Sequence, residues 1–280
     1  MTVELWRRAG YLWREIGKEF QMDLGIKGRK AIVCASSRGL GRGCAMALAE
    51  AGVDLVLNGR DPVALAKTAE EIRKAYGVSV IEVAGDVSQP DVQKALFAAC
   101  PVPDILVNNN GGPPPRDFRQ LDRKAMLDGV TQNMVTPIEL IQAVIDGMAE
   151  RGFGRIVNIT SLSVYLSIPG LDLSSGARAG LTSFLSGIAR TVAAKNVTIN
   201  NMLPGKLDTD RIRTTTKFGA EKAGMSVDDY AARQAKEIPA GRLGTAEEFG
   251  KICAFLCSTH AGYMTGQNLR IDGGSYPSAF

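Results

Sequence analysis

Several patterns that mark metal, redox or membrane proteins are missing from this chain of 280 residues. It has one histidine, its five cysteines form no CxxC pair, and no apolar run is long enough to cross a membrane. The cysteines lie in apolar stretches, which indicates buried free thiols in a reducing, cytoplasmic environment and predicts no metal site. The single histidine, His260, precedes the last predicted strand, so we expect no catalytic role for it.

A strong excess of charge of one sign is missing as well. The net charge is +4 and the charged residues are interspersed, which argues against a nucleic-acid surface but leaves room for a small anionic ligand. The chain does have 45% hydrophobic residues, enough over this length for the core of one domain. We therefore expect a single domain over residues 28–280, preceded by an extension over residues 1–27.

The extension has the pattern of an amphipathic helix. It has no uninterrupted apolar stretch, so it does not resemble a signal peptide. Its apolar residues repeat at helical spacing and are Trp6, Ala9, Trp13, Ile16 and Phe20. A helix this short needs a partner for its apolar face. Packing on its own subunit or a neighbour is the favoured role, and membrane-surface contact is the disfavoured alternative.

From residue 28 the chain alternates strand and helix. Seven short apolar runs predict strands, and they read AIVCAS, VDLVLNG, VSVIEVAGD, DILVNNNG, GRIVNITS, VTINNMLPG and NLRIDGG. Helical patterns separate them, including two long ones over residues 121–151 and 173–194. This order is typical of a Rossmann-like, doubly wound α/β fold with a parallel seven-stranded sheet. Residues 208–239 interrupt the alternation after the sixth strand, and we predict that they form a lid over the site.

The turn after the first strand has the features of a phosphate-binding loop. Gly39 and Gly41 open a helix, which allows the backbone to approach a pyrophosphate. The residues of this turn predicted to contact a dinucleotide are Ser37, Arg38, Gly39, Leu40 and Gly41.

Two arginines indicate which dinucleotide is bound. Arg60 ends the second strand, where a protein that prefers NAD places a carboxylate against the ribose hydroxyl. An arginine there can bind a 2′-phosphate with its forked guanidinium, and Arg38 lies beside it in the glycine turn. The pair favours NADP(H) as cofactor. Asp61 follows and is expected to cap the next helix.

The segment RIVNITSLSVYLSIPGLDLSSGARAGL, residues 155–181, resembles the catalytic stretch of the short-chain dehydrogenase/reductases. The resemblance covers residues 28–274, and GRLGTAEEFGKICAFLCSTHAGYMTGQNLRIDGG is similar to the C-terminal signature of β-ketoacyl carrier-protein reductases. It implies a dimer or tetramer, formed on the two long helices, and a small-molecule substrate. Further cofactor-binding residues implied by it are Asp86, Val87, Asn108, Pro204 and Gly205. The chain departs from the family's glycine motif with Cys34 and Ala35.

The largest departure lies in the catalytic residues. Ser161 matches the family's catalytic serine and Asn133 its asparagine, which holds a proton-relay water. The family's tyrosine and lysine, however, are replaced by Ser174 and Arg178. A serine hydroxyl is a far weaker acid than a phenol and ends roughly 4 Å short of it. Arg178 can grip the ribose but stays protonated, so cofactor binding is expected to survive and the usual proton transfer is not.

Several residues near the predicted site are candidates to replace the tyrosine. Tyr165 is the only nearby phenol, and aromatic packing is its alternative role. Lys206 follows Pro204-Gly205, and its alternative is a solvated lid charge. Asp172 is expected near the N-cap of its helix rather than as an acid. Arg116, in the proline-rich stretch over residues 111–116, is either a contact for an anionic substrate or a surface charge.

Three functions remain open at this point. The first is an NADPH-dependent reductase of a carbonyl or imine with an atypical site. The second is a non-redox enzyme for hydration, elimination or isomerisation in the same pocket. The third is a redox-silent dinucleotide-binding protein. NADPH oxidation would support the first, product formation without any redox change of the cofactor the second, and tight binding without turnover the third.

Overall fold

The computed structural model describes residues 22–112, 115–168 and 170–279, without the side chain of residue 211. Its sheet has seven parallel strands in the order β3-β2-β1-β4-β5-β6-β7. The strands are β1 Lys30–Val33, β2 Asp54–Gly59, β3 Val80–Ala84, β4 Ile105–Asn108, β5 Gly154–Ile159, β6 Val197–Pro204 and β7 Asn268–Ile271. The predicted doubly wound α/β fold is therefore confirmed. The predicted N-terminal helix lies outside the described residues.

The described residues form nine α-helices between and after the strands. They are α1 Gly39–Glu50, α2 Pro62–Tyr76, α3 Pro90–Ala99, α4 Arg123–Val130, α5 Thr136–Glu150, α6 Asp172–Val192, α7 Asp210–Ala223, α8 Val227–Lys236 and α9 Ala246–Leu256. A π-helical segment, Thr131–Val135, joins α4 to α5. The predicted long helix over residues 121–151 is found as one continuous helical run over residues 123–150, and it includes a π-helical turn that apolar spacing does not reveal.

Successive side chains of each strand point to opposite faces of the sheet, so a hydrophobic core lies on each face. In β1, Ala31 and Val33 pack with α1 and α9 on one face, and Ile32 packs with α5 and α6 on the other. Both faces of a parallel sheet are covered by helices, which explains why the strands are apolar throughout. All five cysteines are buried and free, as predicted. Burial raises the pKa of Cys34 to about 12, so its thiol is not a nucleophile.

Four asparagines, three of them buried, form a ladder across the neighbouring strands β4, β5, β6 and β7. Asn108 Nδ2 donates to Asn158 Oδ1 at 2.9 Å, Asn158 Nδ2 to Asn201 Oδ1 at 3.1 Å, and Asn201 Nδ2 to Asn268 Oδ1 at 2.8 Å. The strand register places the four side by side. Three amide–amide hydrogen bonds thus link the four side chains, while Asn108 Oδ1 has no partner among the described residues.

The predicted lid is a pair of helices, α7 and α8. Its two ends are close together, because Asp208 N donates to Gly244 O at 2.8 Å and Lys206 Nζ pairs with Glu237 Oε2 at 2.8 Å. Lys206 lowers the pKa of Glu237, chiefly through this hydrogen bond. Lys206 therefore links the segment before α7 to the residue that follows α8. No helix among the described residues has the length and apolar content needed to cross a membrane.

Candidate active site

A cavity of about 590 Å³ opens at the carboxyl ends of the strands, the usual ligand site of this fold. We divide its wall into two halves. The glycine-turn half is formed by residues 35, 37–40, 58–61, 85–87 and 109–111, and the serine half by residues 159–161, 171, 174, 178, 204, 205, 207, 209, 210 and 212. The predicted site residues in the wall are Ser37, Arg38, Gly39, Leu40, Arg60, Asp86, Val87, Ser161, Ser174, Arg178, Pro204 and Gly205.

The glycine turn packs closely against the residues behind the cavity wall. Gly39 has φ +54°, and Ala35, at the position of the family's first glycine, has φ +45°. That left-handed conformation is strained for alanine. Gly41 lies behind the cavity wall rather than in it, because a Cβ there would lie 2.3 Å from Ala35 O. Gly41 therefore supports the turn rather than lining the cavity, and Asn109 Nδ2 closes it by donating to Ala35 O at 3.2 Å.

The N-terminus of α1 faces the cavity without a capping side chain. Arg38 is its N-cap residue and makes no capping hydrogen bond, which leaves helix N–H groups for an anion. The Arg38 guanidinium forms an ion pair with Asp61, whose other oxygen accepts from Val63 N and Ala64 N at the start of α2. The predicted cap at Asp61 is confirmed.

Arg60 and Asp86 complete the glycine-turn half. Arg60 is exposed, and its Nη2 lies 3.7 Å from where a Cβ of Gly111 would be. Asp86 Oδ1 accepts from Ser88 N at 2.9 Å and from Ser88 Oγ at 2.7 Å, which holds the carboxylate at the end of β3. A cation thus borders this half at the edge where a ribose phosphate would lie.

Arg178 forms the floor of the serine half. It is 8% exposed, and it donates from Nη1 to Ile159 O at 2.7 Å and from Nη2 to Asn110 O at 3.3 Å. Its Nε donates to Ser174 Oγ at 3.2 Å, one helical turn earlier on α6. The guanidinium therefore joins the ends of β4 and β5, a geometry that a lysine could not reproduce.

Ser161 is oriented by the turn that follows it. Its Oγ accepts from Ser163 N at 3.1 Å and caps a short 3₁₀ helix, Leu162–Val164. Since this bond uses an acceptor site, the hydroxyl proton remains available to donate to a substrate oxygen or nitrogen. Ser161, Ser174 and Arg178 form a group of hydrogen-bond donors on the wall. Among the described wall residues there is no tyrosine, lysine, histidine or cysteine.

Asn133 lies behind the floor, on the π-helical segment. It is buried, its Nδ2 donates to Gly129 O at 3.2 Å, and its Oδ1 has no partner within the described part of the chain. It lines a second cavity of about 10 Å³ together with Asn108 and Arg178. That volume suits a single water molecule. π-Helical bulges frequently mark functional positions, and here the bulge carries Asn133.

The position of the Asn108 side chain differs from the predicted one at the cofactor. It does not line the main cavity, because its side chain faces the α5 side of the sheet and joins the asparagine ladder. The next two residues, Asn109 and Asn110, line the cavity instead. Three asparagines in a row cannot be told apart in the sequence, since the strand end decides which ones turn toward the cavity.

Tyr165 and the other candidate acids also lie outside the cavity wall. Tyr165 contacts Tyr276 of the C-terminal segment, and Lys206 pairs with Glu237. Asp172 is the first residue of α6 and makes no capping bond, so the expectation of an N-cap region holds only for its position. Arg116 is exposed, and its N–H donates to Gly170 O. His260 contacts Asp23 O, remote from the cavity.

The segment predicted as a lid contributes cavity residues that the sequence did not single out. Thr209 and Asp210, at the start of α7, line the cavity with Ile212. Thr209 Oγ1 caps α7 by accepting from Ile212 N at 3.5 Å. The Thr-Asp pair after the sixth strand carried the capping signal, but its approach to the cavity depends on how the lid folds back.

Comparison with known proteins agrees with this geometry. A family model described as "Enoyl-(Acyl carrier protein) reductase" matches residues 34–276. The chain belongs to the short-chain dehydrogenase/reductase family. It is 33% identical to the NADPH-dependent reductase BacG of Bacillus subtilis over 89% of this chain and 98% of that protein.

Other members of the family show similar agreement. Identity is 31% to the 3-oxoacyl-[acyl-carrier-protein] reductase FabG of Pseudomonas aeruginosa, over 91% of this chain and 100% of that protein. The crystal structure of L-sorbose reductase from Gluconobacter frateurii, complexed with NADPH and L-sorbose, superimposes with a TM-score of 0.86 at 28% identity, covering 92% of this chain and 100% of that one.

Proposed function

We propose that this protein is an NADP(H)-dependent reductase of a carbonyl or imine substrate, in which Ser161 and Arg178 hold the acceptor. The observation that carries the proposal is the wall of the serine half, where Ser161, Ser174 and Arg178 converge and the described residues include no tyrosine, lysine, histidine or cysteine. The protein binds NADP(H), and its cofactor residues fit that group. The relatives named above include NADPH-dependent reductases.

The fit to the cofactor rests on the glycine-turn half. Its cavity is large enough for a dinucleotide, and the α1 N-terminus faces it uncapped. Arg60 and Arg38 would hold a 2′-phosphate, and Asp86 would lie beside the adenine. When bound, NADPH supplies the hydride. Proton movement and charge stabilisation are left to the chain's own residues.

The missing phenol limits which acceptors suit the serine half. An isolated ketone becomes an alkoxide on reduction and needs a proton from a nearby acid. An iminium becomes a neutral amine and needs none. A carbonyl conjugated with a C=C bond, reduced at the far carbon, becomes an enolate, whose charge is delocalised and whose carbon takes a proton from water. Arg178 and Ser161 can stabilise such an oxygen electrostatically. We therefore expect iminium and conjugated carbonyl substrates to be favoured over isolated ketones.

The test mixes the protein and NADPH with an iminium, a conjugated enone and an isolated ketone, and follows NADPH oxidation by absorbance. We expect turnover with at least one of the first two and little with the ketone. Ser161→Ala should lose about a hundredfold in kcat/KM. Ser186→Ala, an exposed serine on α6, is the matched control and should keep full activity. Equal activity of both variants would contradict the proposed role of Ser161.

The loss of the tyrosine and lysine also supports a second candidate, a redox-silent dinucleotide-binding protein. Tight NADPH binding with no turnover of any acceptor would favour it over the reductase. Product formation without NADPH oxidation would instead indicate the non-redox enzyme. The three outcomes are distinguishable in the same assay.

A further inference from the structure

The C-terminal segment contains a sharply folded turn over residues 272–276. The Asp272 carboxylate accepts from Gly274 N and from Tyr276 N, both at 3.0 Å. Gly273 and Gly274 have φ +63° and +85°, a conformation that favours glycine. Asp272 therefore organises the turn and sets the direction in which Tyr276 leaves it.

One side of this turn rests on the cavity wall. Gly205 N donates to Ile271 O at 3.0 Å, and a Cβ on Gly205 would lie 2.8 Å from Asp272 Cα. Gly205 is a residue of the serine half. The turn is thus in direct contact with the segment that follows β6, with no room for a side chain between them.

The other side of the turn contacts the loop that carries Ser161. The rings of Tyr276 and Tyr165 have centroids 5.6 Å apart and are tilted by 43°. The Arg270 guanidinium lies 4.7 Å from the Tyr276 ring centroid, so the ring contacts both a cation and a second ring. Tyr165 N donates to Leu162 O at the end of the 3₁₀ helix that Ser161 caps.

We propose that Tyr276 is a positioning residue that braces the Ser161 loop against the Gly205 segment through Tyr165. The brace sets the distance between two parts of the serine half that come from different strands, β5 and β6. The effect on turnover rests on the proposed function, but the effect on the loop does not.

The experiment compares Tyr276→Ala, Tyr276→Phe and Tyr263→Ala in the full chain. Tyr263 is fully exposed in the same region of the chain, so it controls for loss of a tyrosine. Amide hydrogen exchange over residues 161–166 should be about fivefold faster in Tyr276→Ala, since an aromatic pair has been removed. Tyr276→Phe keeps the ring, so exchange over residues 161–166 should stay as slow as in the unsubstituted protein.

Turnover gives the second readout. Tyr276→Ala should raise the KM of the acceptor about fivefold with a smaller change in kcat, and should leave NADPH affinity unchanged. Unchanged exchange over residues 161–166, or an equal change in Tyr263→Ala, would overturn the brace. Faster exchange without turnover of any acceptor in the unsubstituted protein would support the brace and count against the reductase.

Discussion

The glycine-turn half of the cavity is shaped mainly by backbone, whereas the serine half is shaped by side chains. In the first, the turn between β1 and α1 is held by close approach of Gly41 to Ala35 O and tolerates an alanine at a left-handed position. In the second, the geometry depends on one guanidinium that bonds Ile159 O, Asn110 O and Ser174 Oγ.

This difference explains how one half can keep its role while the other changes. A backbone anion site survives many side-chain substitutions, because its N–H groups belong to every residue type except proline. A proton donor is a single side chain, and its loss removes a function at once. The buried Arg178 replaces a titratable group with a permanent charge, which suits charge stabilisation rather than proton transfer.

The largest expected effect tests the backbone character of the glycine-turn half. Gly41→Ala places a Cβ 2.3 Å from Ala35 O and 2.9 Å from Asn109 Nδ2, so the turn must shift. We expect NADPH affinity to fall about a hundredfold and stability by about 2 kcal/mol. Titration by fluorescence and thermal unfolding measure both. Gly187→Ala on α6, where a Cβ meets nothing within 4 Å, is the control. Equal behaviour of the two variants would contradict this account.

The second prediction restores the family's pair in the serine half with Ser174→Tyr and Arg178→Lys. The new ring should fill space that the native substrate uses, so activity on an iminium or enone should fall about tenfold. Reduction of an isolated ketone should appear, because a phenol beside a lysine can donate a proton. Steady-state kinetics on both acceptors decide it. A restored enzyme that only gains activity on the native acceptor would indicate that the serine half had merely decayed.

The third prediction concerns the edge of the glycine-turn half. Arg60→Ala should lower the preference for NADPH over NADH about tenfold, or about 1.4 kcal/mol. NADH affinity should stay constant, since it lacks the 2′-phosphate. Arg38→Ala should do less, because Arg38 is already paired with Asp61. Fluorescence titration of both nucleotides is the measurement, and parallel losses for NADPH and NADH would refute the phosphate contact.

The features that could be predicted from the sequence are those that local chemistry and periodicity determine. Apolar runs separated by helical patterns predicted all seven strands and their parallel arrangement, since covered parallel strands must be apolar on both faces. The cap at Asp61 was predicted from local chemistry and found in place, whereas Asp172 begins its helix without making a capping bond. The π-helical segment at Asn133 was not predicted, because one extra residue in a turn leaves apolar spacing almost unchanged.

The sequence by itself determined the fold, the glycine turn, the two arginines at its edge and the replacement of Tyr and Lys by Ser174 and Arg178. Only the tertiary structure decided that Asn108 joins a ladder while Asn110 meets Arg178, and that Tyr165 contacts Tyr276 rather than the cavity. Local signals are carried by neighbouring residues and short periods, so they can be read along the chain. Contacts between residues 68 or 111 positions apart depend on how whole strands and loops pack, which no local pattern specifies.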